Sequence, residues 1–162
     1  MFNRTVALRL KDLSDIAGAL PQLLASPNVD VTSCAWLISV LSTHECYPRI
    51  ISECRLSTWT LQEIQKQLGE GEKVVITVPL VRCMSNACAT SNECLLQYLD
   101  ESSFISVVLQ LLNSSYECIL KETFLLVANI VNNCEPALQV RPSFLYFKFQ
   151  CEKSMERALS LF

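Results

Sequence analysis

The chain has 162 residues, 51% apolar and 18% charged, a formal net charge of −3 and a pI near 5.2. Such apolar content excludes disorder as the main state, and the acidic balance argues against a nucleic-acid partner, which a basic face would serve. Glycine is scarce, at Gly18, Gly69 and Gly71, so phosphate-cradling loops and tight β-hairpins have few places to form.

Apolar positions follow a helical period along most of the chain. MFNRTVALRLKDL has Arg4, Arg9 and Lys11, an organelle presequence pattern in weak form or an ordinary amphipathic helix. The second is expected. Leu13, Ile16, Leu20, Leu23 and Leu24 run at steps of three and four, with Pro21 distorting the helix or marking its start. Ser26-Pro27-Asn28 breaks the chain, and Asp30 or Thr32 caps a helix from Val31 to Ser42. A short helix with Pro48 is expected between Glu45 and Cys54. Ser57 or Thr58 is expected to cap the next, which buries Leu61, Ile64 and Leu68 and ends at Gly69-Glu70-Gly71.

Val74 to Val78 alone resembles a strand, but the pattern continues through Leu80, Val81, Met84 and Cys88 as a helix. Short helices follow at Asn92 to Leu99 and from Ser102 or Ser103, the latter with Phe104, Val107, Val108 and Leu111. A last helix is predicted over Tyr116 to Asn132. On it Cys118, Lys121, Glu122, Leu125, Asn129, Asn132 and Asn133 share a narrow arc, and the remaining circumference is largely apolar. A helix apolar over so much of its surface suits the inner position of a stacked repeat. Phe144, Tyr146, Phe147 and Phe149 then form an aromatic cluster read as a short strand or an exposed apolar tail.

Nine cysteines, an odd count without a secretory leader, favour reduced thiols over a disulfide framework. Cys83, Cys88 and Cys94 lack C-x-x-C spacing, and His44 is the sole histidine, so buried structural thiols are expected and no metal site. A Cys/His nucleophile would have to use His44 beside Glu45 and Cys46, and sequence adjacency does not make a dyad. The Asp100-Glu101 pair is read as helix N-terminal capping. The chain is therefore not expected to be an enzyme. No apolar run reaches the length of a bilayer span, and no nucleotide or other cofactor is indicated.

Self-comparison shows a repeat. Asn86 and Asn129 each follow an apolar helix and precede a polar break, 43 residues apart. Val40 holds the equivalent position 46 residues before Asn86. Such periods mark armadillo and HEAT repeats. The expected architecture is all-α, an armadillo/HEAT-like right-handed α-solenoid of about three repeats. The repeats are placed near 10–45, 46–90 and 91–133, within a unit 1–140, followed by a divergent tail 141–162.

KETFLLVANI, Lys121 to Ile130, resembles the third-helix motif Lys-Glu-Ala-Cys-Trp-x-x-Ser-Asn-Ile of importin-α armadillo repeats. VPLVRCMSNACAT and AWLISVLS resemble the equivalent segments of preceding repeats. The resemblance implies a nuclear import adaptor with a concave groove, in which Trp and Asn one turn apart hold an extended basic peptide. The indole packs on the Lys stem and attracts its cation, and the Asn amide holds the peptide backbone. The groove residues it implies are Trp36, Arg82, Asn86, Glu122, Leu125 and Asn129. The match is partial: Val40 replaces the Asn beside Trp36, Arg82 stands where an indole would precede Asn86, and Leu125 does so before Asn129. Arg82 would repel a cation, so a basic localisation signal is expected to bind weakly here. Each of these residues also has a structural reading, Trp36 as core and the two Asn amides as ties within the stack.

The implied partners are cargo peptides, and importin-β through a basic segment not found in this chain. A cytoplasmic location with shuttling to the nucleus would follow. Importin-type arrays have many more repeats, so a shortened or alternatively spliced product with an exposed apolar end is expected. The alternative function is a generic armadillo scaffold without import activity.

Overall fold

The computed structural model describes residues 10–44, 47–133 and 142–159. Every regular element among them is a helix, and no strand occurs. The helices are α1 (Leu10–Leu24), α2 (Val31–Leu41), α3 (Tyr47–Glu53), α4 (Leu56–Glu70) and α5 (Val74–Thr90). Then come α6 (Asn92–Leu99), α7 (Phe104–Leu111), α8 (Glu117–Asn133) and α9 (Pro142–Leu159).

Local chemistry accounts for most boundaries. Asp30 caps α2: Thr32 N–H donates to its Oδ1 at 3.1 Å and the Ser33 hydroxyl to its Oδ2 at 2.6 Å. Those bonds hold the Asp30 carboxyl below its usual pKa. Gly71 ends α4 at φ 108°, a left-handed conformation that a side chain would strain, and Glu72 N–H reaches back to Gln67 O at 2.7 Å. Ser91 accepts from Cys94 N–H and starts α6. Pro21 lies within α1 and Pro79 within α5, so each costs its helix a backbone hydrogen bond without ending it.

The start of α4 departs from expectation. Arg55, left-handed at φ 50°, precedes it with no side-chain cap, and Ser57 and Thr58 lie inside the helix. Their hydroxyls instead donate to Glu101 Oε1, Thr58 at 2.5 Å and Ser57 at 3.4 Å. Glu101 therefore ties α4 to the α6–α7 turn. Asp100 is the C-cap of α6, and the Glu101 carboxylate turns toward α4.

Helix neighbours recur at a fixed interval. α2 packs on α5 and α5 on α8; α3 packs on α6 and α4 on α7. Each pair is three helices apart. α5 lies between α2 and α8 and also touches α4 and α6, which explains why Ile76, Leu80, Val81, Cys83, Met84, Ala87 and Cys88 are all buried on one helix. One continuous apolar core runs from Leu20 to Cys151.

The tail is neither strand nor fully exposed. α9 packs on α7 and inserts Phe144, Phe147 and Cys151 into the core. Phe147 stacks on Phe104 at 5.9 Å between centroids, Phe104 lies 5.7 Å from Tyr98, and Phe144 lies 6.4 Å from Phe147. The spacing of Phe144, Phe147 and Cys151 is helical, three then four. The aromatic density suggested β-structure, and the period decides against it. Leu145, Tyr146 and Phe149 occupy the opposite, exposed side.

Candidate peptide-binding face

The six residues implied by the resemblance fall on α2, α5 and α8, the three helices that lie side by side. Trp36 and Val40, one turn apart on α2, are 45% and 58% exposed. Trp36 is therefore surface, not core. Leu125 on α8 is 51% exposed. Arg82, Asn86, Glu122 and Asn129 are half-buried between the helices.

Both Asn amides reach back to the preceding helix of the row. Asn86 Nδ2–H donates to Ser42 Oγ at 2.9 Å, and Ser42 donates onward to Ser39 O at 2.7 Å. Asn129 Nδ2–H donates to Ser85 Oγ at 2.9 Å and Ser85 O at 3.2 Å. Each bond spans 44 residues, so the same position makes the same tie in successive helices. Ser42 and Ser85 are the acceptors, and sequence reasoning missed both. The sequence holds only the spacing, each Asn lying 44 residues after a serine, and that spacing becomes a contact only when the helices pack.

Arg82 is not a bare cation. Its Nε donates to Glu122 Oε1 at 3.1 Å and its Nη2 bonds the same oxygen. That hydrogen bond raises the guanidinium pKa further. The Arg82 side chain is 42% exposed and that of Glu122 15%. Glu122 Oε2 is buried without a hydrogen-bond partner. A charge-assisted contact in this partly dry setting outweighs a surface pair. Lys121 pairs with Glu117 at 2.7 Å, both well exposed, and each holds the other in its charged form.

The exposed band of α8 is broader than its polar arc. It takes in Cys118, Lys121, Leu125, Ala128 and Asn132, while Ile119, Thr123, Leu126, Val127 and Ile130 are buried. The Asn133 side chain lies outside the described ones.

Most of the described cysteines are buried. Cys34, Cys83, Cys88, Cys94 and Cys151 are buried; Cys46 and Cys134 lie outside the described residues. Burial pushes the Cys83 and Cys151 thiols up to about 12 and Cys88 further, which leaves them protonated and poor nucleophiles at neutral pH. The Cys83 thiol instead shares a 2.7 Å hydrogen bond with the Tyr47 hydroxyl. Among the described residues no three His, Cys, Asp or Glu side chains gather as a metal site. No described helix is long and apolar enough to cross a membrane. A cleft of about 250 Å³ beside Pro21, Leu24, Arg55 and Trp59 is smaller than ordinary small-molecule pockets.

Comparison with protein-family models, with curated proteins and with solved structures finds no match to this chain.

Proposed function

We infer that the chain is an armadillo-type α-solenoid of about three repeats that acts as an importin-α-like adaptor. On this reading the α2, α5 and α8 face holds an extended segment of the imported cargo. The repeats are 10–45, 46–90 and 91–133, with α2, α5 and α8 as third helices, and the protein works in the cytoplasm and shuttles to the nucleus. One observation carries the reading: the Asn ties of α5 and α8, each spanning 44 residues, recur at an interval of 43 along the row that also exposes Trp36. A periodic row with an exposed indole suits capture of a peptide by stacking and backbone contacts.

A second reading, a scaffold without import activity, is favoured by the polar groups themselves. The amide N–H groups of Asn86 and Asn129 already serve neighbouring helices, and Glu122 already serves Arg82. These are the groups an import receptor would offer to a cargo backbone and its cations.

Titration of a labelled Lys/Arg-rich localisation peptide and a labelled uncharged peptide, followed by anisotropy, tests the groove. Saturable binding of either, weakened by Trp36→Ala, supports it. Binding of neither by the folded chain refutes it. Nuclear accumulation of a fluorescent fusion bearing the bound peptide, in permeabilised cells supplied with importin-β, then separates adaptor from scaffold. Accumulation that does not depend on the chain leaves the scaffold.

A further inference from the structure

Among the described residues of α2, α5 and α8 the charged side chains pair with one another. α2 carries no charged residue, and Asp30 at its head is used as the cap. α5 carries one, Arg82, and α8 carries Glu117, Lys121 and Glu122. These form two pairs, Arg82 with Glu122 and Lys121 with Glu117, and sum to zero. Among the described residues of these three helices, each carboxylate has its cation.

That arrangement decides what a ligand gains. An incoming Lys or Arg would shed water and find Glu117 and Glu122 already paired, unless it displaced Arg82 from Glu122. An incoming carboxylate would have to displace Glu122 from Arg82. An apolar side chain meets neither cost. It covers exposed Trp36, Val40 and Leu125 and gains in proportion to the area removed from water.

We propose that the occupant of this face is an extended protein segment with uncharged, apolar side chains rather than a Lys/Arg-rich one. This rests on the peptide-groove reading above and names its ligand class. The Arg82–Glu122 pair acts as the discriminating element, because it withholds the one half-buried acid from cationic ligands.

The test uses three labelled peptides of equal length: one of Leu, Val, Ser and Thr, one Lys/Arg-rich and one Asp/Glu-rich. Each is titrated by anisotropy at low and high salt. The expected result is tightest binding of the uncharged peptide, nearly independent of salt, and weakened about tenfold by Trp36→Ala or Leu125→Ser. Both substitutions are at half-exposed positions, and a native far-UV spectrum verifies folding. Arg82→Gln frees Glu122, so the basic peptide should gain about fivefold and become salt-sensitive. No gain there counts against the pair as the discriminator. Tightest binding of either charged peptide by the wild-type chain overturns the proposal and leaves the groove standing. Binding of none by folded protein overturns the groove and the proposal together.

Discussion

Phe147 and Phe149 lie two residues apart on α9 and should respond to the same substitution by very different amounts. Phe147 is fully buried and stacks on Phe104 at 5.9 Å; Phe149 is 52% exposed, with Lys153 Nζ 4.6 Å from its ring centroid. Phe147→Ala removes a whole ring from the core and its contacts with Phe104 and Phe144. Truncations of this kind cost about 3–5 kcal/mol, out of a total stability of about 5–15 kcal/mol. Phe149→Ala loses an exposed cation–π contact and some half-covered area, about 1 kcal/mol or less. Urea unfolding followed by far-UV circular dichroism reads both. With a slope of about 2 kcal/mol per molar, Phe147→Ala should lower the midpoint by about 1.5–2.5 M and Phe149→Ala by about 0.5 M or less. Equal shifts would refute the assignment of the two faces. A Phe147→Ala chain that loses helix without urea but keeps its midpoint would show that α9 does not share the cooperative core.

Two further outcomes are expected. Asn129→Ala removes the amide that bonds the buried Ser85 hydroxyl and carbonyl, and should lower stability by about 1 kcal/mol in urea unfolding, with unchanged stability refuting the tie. The buried thiols of Cys83 and Cys151 titrate near 12 when folded but near 9 when unfolded, so the unfolded chain loses protons first and stability falls as pH rises above about 9. Urea midpoints that stay flat from neutral pH to about 10 would refute that burial.

The exposed Trp36 and the helix ends show how far local information reaches. Asp30, Gly71 and Ser91 act on backbone groups within a few residues, so their effect can be read from the chain alone. Ser57 and Thr58 have the same chemistry and did otherwise, because Glu101 from the α6–α7 turn comes within reach of their hydroxyls. A cap is a competition between a near backbone donor and any distant partner, and only the second depends on the fold. The tail gives the same lesson for apolar residues. Four aromatics in six positions fit several local structures, and Phe104 on α7 selects the helix that can bury two of them.

The all-helical class was determined by the sequence itself, through apolar residues at steps of three and four and too few glycines for hairpins. So was the repeating position of Asn86 and Asn129. Which groups those amides would bond, and whether Arg82 would present a free charge, was decided only by tertiary structure. Those partners lie 40 to 44 residues away, on helices whose neighbours are set by packing of the whole core. Arg82 in sequence is a cation that repels Lys; beside Glu122 it is half of a neutral pair. Periodicity is a property of one helix, whereas charge compensation is a property of two.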